Sequence, residues 1–478
     1  MSFYNPTSRL PRRFRLVLAS FLQRPGLPFA DALSEEAIQT AFDQEGSCFA
    51  EDEDAVYTPA TTLWAFLSQV LFKDEQRSCV AAVARVAVLL VSLERGPCSS
   101  NTGAYCRARN KLPEKIIHRL TVDVAEGCEK EVDAEWLWHG RHVRLVDGTT
   151  VSMPDTPENQ QTYPQPRTQK KGLGFPIARM GVLLSLATGM IMDAALGPYL
   201  GKETGETALL RKLLARFRPG DILLGDRYYC SYFMIALFIG AGVDFVTRIH
   251  QRRPVDFRRG RRLGSGDHVV EWRRPEKPAW MDQHVYDQMP TSIHVREIHV
   301  HVGQPGFRIE SLVVVTTLRD ANAFPREDIS ELYGRRWLAE LDIRAIKITM
   351  GMDVLRCKTP SMIHKEAWTC LLAYNLIRRA MLQSAHGSGQ SPRQLSFAAA
   401  LQGIAANWQV IVLCRDPVAA NLVDTALKHM ADYIVGDRPD RIEPRAVKRR
   451  PKPHDLLTQP REQARAKLRS GGPLISRG

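Results

Sequence analysis

The apolar residues of this chain change their spacing near residue 140. Before that point TTLWAFLSQVLF and CVAAVARVAVLLVSL place apolar residues three and four apart, and YCRARNKLPEKIIHRL resumes that spacing after the break GPCSSNTG. Residues 1–135 therefore read as a helical region. Beyond it, HVRLVDGTTVSM alternates as a strand does, and ARMGVLLSLATGMIMDAALG reads as two strands turning at Thr188 and Gly189. GETALLRKLLARFRPGDILLGDRYYCSYFMIALFIGAGVDFVTRI then gives helix, short strand, helix and strand. Short apolar strands interleaved with helices predict a mixed α/β sheet covered by helices.

Between about 250 and 308 the pattern is interrupted by HQRRPVDFRRGRRLGSGD and by the strand-like HVVEWRR and SIHVREIHVHV, which read as an inserted β-rich module. RIESLVVVTTL follows as a buried strand, and PREDISELYGRRWLAELDIRAIK as one long helix entered at Pro325 and Asp328. Helix returns over 351–436, most clearly in HKEAWTCLLAYNLIRRAML. Residues 437–478 are Pro-rich and basic, the composition of a flexible tail.

At 478 residues the chain can hold more than one domain and a large core. Its 65 Lys and Arg outnumber 52 Asp and Glu, a net charge of +13 that favours a polyanionic partner. Nine cysteines form no CxxC pair and read as reduced thiols of a cytoplasmic protein. The apolar run from Cys79 to Leu93 contains Arg85 and is too short to span a bilayer comfortably, and no small-residue cleavage site follows the N-terminal stretch. No membrane segment or signal peptide is expected.

The candidate chemistry lies in acidic residues. Asp147 follows the strand-like RLV and Asp226 follows ILLG, both read as strand ends, where α/β sheets place ligands. Either alone would be an ordinary turn residue. On a continuous helix at about 100° per residue, Tyr333, Arg336, Glu340 and Lys347 share a stripe about 60° wide. Glu331, Arg335 and Asp342 form a second polar stripe on the opposite side. A surface helix needs only one polar face, so the first stripe is expected to look into a cleft and the second into water. Three carboxylates from two strands and a helix suit hard divalent cations that drive phosphoryl transfer, with Arg336 and Lys347 placed for phosphates.

The spacing Tyr333-(2)-Arg336-(3)-Glu340-(6)-Lys347 resembles the Y-R-E-K signature of DDE transposases of the IS4 family, and Asp147 in LVDGTT and Asp226 in LLGDRYY match that family's first two acids. The resemblance implies a ribonuclease-H-like catalytic core over 136–350, interrupted by a β-rich insertion at about 250–308. The flanking 1–135 would bind transposon ends and 351–436 would serve protein contacts. It implies Asp147, Asp226 and Glu340 as catalytic ligands of two Mg²⁺ ions, with Mn²⁺ as substitute. Tyr333, Arg336, Lys347 and Trp337 would contact DNA. The expected partners are double-stranded terminal repeats, target DNA and a second copy of the chain in a synaptic dimer, in the cytoplasm at the nucleoid. The expected activity is cut-and-paste transposition; a nuclease without strand transfer and a non-catalytic domesticated DNA-binding protein are the alternatives.

Hairpin-forming relatives carry a tryptophan in the strand before the helix, where this chain reads SLVVVTT; Trp272 and Trp280 in the insertion are the candidates to replace it. Arg252, Arg253, Arg258, Arg259, Arg261 and Arg262 form a basic loop expected to meet phosphates. Arg167, Lys170 and Lys171 are a weaker basic group. His299 and His301 share a side of one strand, but no third ligand accompanies them, and they read as a half-exposed strand face.

Overall fold

The computed structural model describes residues 55–301 save 73, 93–95 and 97, residues 311–414, 418–435 and 457–470, and the isolated positions 33, 40–42 and 44. Most of the first 54 residues of the N-terminal region, and most of the 437–478 tail, lie outside the described residues.

Alternation in the sequence becomes two buried faces of one sheet. The strands are β1 Val143–Ser152, β2 Ile177–Ser185, β3 Ile191–Pro198, β4 Ile222–Gly225, β5 Asp244–Arg248, β6 Arg261–Gly264, β7 Asp267–Arg273, β8 Ser292–His301 and β9 Ser311–Thr316. They form a nine-stranded sheet in the order β3-β2-β1-β4-β5-β9-β8-β7-β6. β1, β4 and β5 run parallel and the other neighbours antiparallel. Leu145, Leu184, Leu224, Val246 and Val314 join one apolar cluster, and their chain neighbours Val146, Leu183, Leu223, Phe245 and Val315 join the other. Each such side chain, fully buried, contributes about 1.5–3 kcal/mol, and the two-residue period makes any register slip exchange the faces.

The helices are α1 Pro59–Leu71, α2 Cys79–Ser92, α3 Gly103–Lys111, α4 Glu114–Glu129, α5 Pro157–Thr162, α6 Glu206–Lys212, α7 Tyr232–Gly240, α8 Gln283–Gln288, α9 Arg326–Gly334, α10 Trp337–Arg344, α11 Pro360–Ser388, α12 Phe397–Leu413, α13 Val418–Asp432 and α14 Arg461–Arg469. α4 and α11 pack on the first face, α6 and α7 on the second. α11 begins with Pro360 and stops at Gly389, whose φ of 64° suits a residue without Cβ. On its buried side Asn375 donates to the carbonyls of Thr121 and Ile191, both at 2.9 Å, and accepts from Ile191 N–H. It thereby satisfies the backbone of β3 at the sheet edge.

Turns at Thr188–Gly189 and the helix-strand alternation of 206–248 match the expectation, with Gly189 at φ 76°. Strands β6 to β8 extend the same sheet past β9, so the β-rich stretch and the sheet are continuous.

The long helix is a broken one. α9 ends at Gly334, Arg336 and Ala339 make 3₁₀-type bonds back to Tyr333 and Arg336, and Ala345–Thr349 is a π turn closed by Met350 N–H on Ala345. Angles taken at a uniform 100° therefore do not carry from Tyr333 to Lys347. The supposed second solvent stripe divides too. Glu331 and Arg335 pair in the open at 2.6 Å, but Asp342 is 1 % exposed. Its carboxylate takes Arg378, Arg393 at 2.6 Å and the Tyr374 hydroxyl at 3.1 Å, tying α10 to α11 and to the β2–β3 turn. Two arginines that the sequence distributes 36 and 51 residues away made that burial invisible to helical periodicity.

Candidate functional site

Asp147 was expected at a strand end; it stands within β1, which runs on to Ser152. Its neighbour β4 is the strand that stops. Leu145 pairs with Leu224, so two residues on Asp147 draws level with Asp226, just beyond the end of β4. Ser152 N–H then bonds to Asp353, and Leu355 N–H to Ser152, which straps the segment following α10 onto the end of β1. Strand register and this strap together bring α10, and Glu340 on it, to the two aspartates.

Gly148 N–H donates to Asp147 at 2.8 Å and Tyr228 N–H to Asp226 at 2.7 Å. Burial pushes the Asp147 carboxyl up to about 6, with Asp226 and Glu206 adding to the rise and Gly148 N–H and Arg336 opposing it. Burial likewise raises Asp226, with Glu340 adding repulsion and Tyr228 N–H, Arg336 and Arg227 opposing. Arg336 donates to Glu340 at 2.8 Å. It stays protonated because Glu340, Tyr333 and Asp147 outweigh the cost of its burial. Burial raises the Tyr333 hydroxyl, so it remains a donor beside Arg336. Asp147, Asp226, Glu340, Tyr333 and Arg336 are thus one electrostatic unit. Lys347 is half-buried on the π turn, and its ammonium has no hydrogen-bond or ion-pair partner among the described residues. Trp337 is 52 % exposed beside Arg336.

Sequence reading missed Glu206 and Tyr229. Glu206, the first residue of α6, lies over Gly148, and burial and the Asp226 charge raise its carboxyl against the lowering effect of Arg179. An acid opening a helix is so ordinary that only placement separates it from a dipole partner. Tyr229 is 1 % exposed, packed against Gly225 in the field of Glu206, Asp147 and Asp226.

The acids supply only oxygen donors, and mutual repulsion plus burial penalises their charge, a combination that fits a hard divalent ion. As free side chains, no three acidic, histidine or cysteine groups stand at common ligand distance among the described residues, and Glu340 is turned onto Arg336.

The insertion arginines lie elsewhere. β6 is six strands from β1, about 29 Å at about 4.8 Å per strand. Arg261 and Arg262 are exposed there, Arg252 is exposed in the loop that leaves β5, Arg258 and Arg259 in that loop pair with Asp256, and Arg253 lies over the Trp272 ring at 3.7 Å. Trp272 is 4 % exposed and donates to Glu297 at 3.0 Å, so it offers no face to a displaced base. Trp280 carries Arg211 over its ring at 3.9 Å. Exposed aromatics near the acids are Trp337 and Tyr228, the latter 59 % exposed. Arg167, Lys170 and Lys171 are exposed in the loop before β2. His299 is partly covered and His301 exposed. Among the described residues no helix is long and apolar enough to cross a membrane, and the eight described cysteines are unpaired thiols.

A family model described as Transposase DDE domain matches residues 138–376. The chain is 26% identical over 357 residues to the transposase InsG for insertion sequence element IS4 of Escherichia coli K12, covering 73% of this chain and 76% of that protein. Among solved structures, a piggyBac transposase synaptic complex with hairpin DNA aligns over 91% of this chain and 89% of that chain, at a TM-score of 0.41 and 10% identity.

Proposed function

The chain belongs to the IS4 family of DDE transposases, DNA-cleaving and strand-transferring enzymes, and on that premise we propose that it moves an insertion sequence by cut-and-paste. The observation that carries the reading is the single field shared by Asp147, Asp226, Glu340 and Arg336. The strand order β3-β2-β1-β4-β5, with an acid on β1 and another just past β4, supports a ribonuclease-H-like core.

Members of the family use divalent metal ions. Here Asp147, Asp226 and Glu340 would hold two Mg²⁺ ions, with Mn²⁺ as substitute. Such ions, when bound, activate the attacking oxygen and stabilise the leaving one. The chain's own residues do the rest. Arg336 and Lys347 bind the phosphates flanking the cut, and Tyr333 donates a hydrogen bond to one of them. A phosphate that takes over Arg336 releases Glu340 toward the aspartates, so engaging DNA completes the donor set. Hydrolysis frees a 3′-hydroxyl, which the same site directs at target DNA. Trp337 offers an exposed ring for a base at the cut.

Double-stranded terminal repeats are bound by the helical region before residue 136. The exposed arginines of β6, about 29 Å from β1, contact the duplex about nine base pairs farther along at 3.4 Å per pair. Synapsis of two ends takes a homodimer, with the 351–436 helices as contact, at the nucleoid in the cytoplasm.

Purified protein incubated with labelled element ends and Mg²⁺ tests this, wild type against Glu340→Ala. Wild type is expected to cut and join, and the variant to bind without cutting. Binding by wild type without nicking or joining would sink the reading; cutting without joining would support a nuclease.

A further inference from the structure

We propose that Glu206 is a fourth carboxylate donor of the cation site, delivered from the side of the sheet opposite Glu340. This rests on the metal-dependent reading of the site above.

Three glycines make the approach possible. Gly148 on β1 pairs with Gly181 on β2, and Gly197 follows on β3. Their missing side chains let α6 lie flush on the sheet, with Leu209 only 3.1 Å from a Cβ built on Gly181 and 3.4 Å from one built on Gly197. At the head of the same helix, a Cβ on Gly148 would stand 2.4 Å from Glu206 Cδ and 2.7 Å from its Oε1. Glu206 thus occupies the space an ordinary side chain would fill, one residue from Asp147. Leu209 belongs to the apolar cluster on one face of the sheet and Ala339, beside Glu340, to the cluster on the other. The pair Asp147 and Asp226 lies between the two glutamates.

The Glu206 carboxylate has no hydrogen bond or ion pair among the described residues, although Asp147 and Asp226 are close enough to repel it. A helix-opening acid needs no such place: a side chain turned to water would serve the helix dipole equally. Arg179, which bonds the carbonyl of Thr204 beside Glu206, offsets that repulsion only in part, and a carboxylate packed against two like charges is an unfavourable arrangement that a bound divalent ion reverses.

Titration of the full-length protein with Mn²⁺ alone, without DNA, followed by calorimetry and by Mn²⁺ electron paramagnetic resonance, separates the readings. Glu206→Gln is expected to weaken Mn²⁺ binding about tenfold, the lower end for groups supporting a metal site, while raising the melting temperature of the metal-free protein. Gly148→Ala keeps every carboxylate but displaces Glu206, and is expected to weaken binding similarly. A Glu206→Gln protein with wild-type Mn²⁺ affinity and a lower metal-free melting temperature would overturn the proposal in favour of a helix-dipole role. Asp147→Asn in the same titration reports on the underlying reading. Loss of binding there with none in Glu206→Gln rejects Glu206 alone, and no loss in either rejects the metal site itself.

Discussion

Replacing Asp342 by Asn should cost far more than its position on a charged helix implies. The side chain is 1 % exposed and is the shared counter-charge of Arg378 and Arg393. Arg378 is buried and also bonds the Tyr374 hydroxyl at 2.9 Å, while Arg393 is held by the carbonyls of Leu186 and Ser185, both at 2.7 Å. Asn keeps the shape but leaves two enclosed guanidinium groups without an anion. Breaking a buried pair in this way costs about 3–5 kcal/mol, a large share of the roughly 5–15 kcal/mol that keeps a typical protein folded. Urea unfolding followed by tryptophan fluorescence and circular dichroism measures it. Glu331→Gln, on the same helical stretch but in an exposed pair with Arg335, serves as control and should stay within about 0.5 kcal/mol of wild type. A loss below about 1 kcal/mol in Asp342→Asn would refute the account of this network. Because Glu340 is two residues away, Asp342→Asn should also slow DNA cutting at temperatures where the protein remains folded.

Further outcomes follow from other contacts. Arg336→Gln releases Glu340 from an ion pair worth about 1 kcal/mol in its half-exposed setting, so Mn²⁺ affinity without DNA should rise about fivefold while end cleavage falls; unchanged affinity in calorimetry would count against the release of Glu340 by phosphate. For Glu129, burial that would raise its pKa is outweighed by His142, Arg144 and Ser185, and the carboxyl is held at about 2 against an ordinary 4.5. The stability this supplies is complete above about pH 4.5 and is lost as pH falls toward 2, about 3 kcal/mol in all. Urea midpoints of wild type and Glu129→Gln should therefore converge between pH 5 and pH 2.5, and a constant gap would contradict the linkage. Trp272→Phe strips Glu297 of a buried donor and should cost about 1–3 kcal/mol, with the DNA products on a sequencing gel unchanged; altered products would give Trp272 a part in handling DNA.

Much of the site is written locally. The spacing from Tyr333 to Lys347, the acids following RLV and ILLG, and the alternation that makes β1, β2 and β3 are properties of short stretches, because side-chain period and hydrogen-bond pattern are fixed within a few residues. These stretches identified the family and the residues on which its chemistry is expected to rest. What the sequence left undecided depended on neighbours remote in the chain. Asp342 reads as a solvent residue until Arg378 and Arg393 arrive from α11 and the loop after it. Trp272 reads as a free ring until Glu297 and Arg253 enclose it. The break at Arg336 and the π turn at Ala345 have no proline to announce them, and the strap between Ser152 and Leu355 fixes where that helix must end. Glu206 reads as a helix-opening acid until Gly148, Gly181 and Gly197, on three adjacent strands, clear the space beneath α6. Local propensity set what each segment is; which charges share a desolvated space was decided by strand pairing and helix packing, since the energy of a carboxylate depends on what surrounds it in three dimensions.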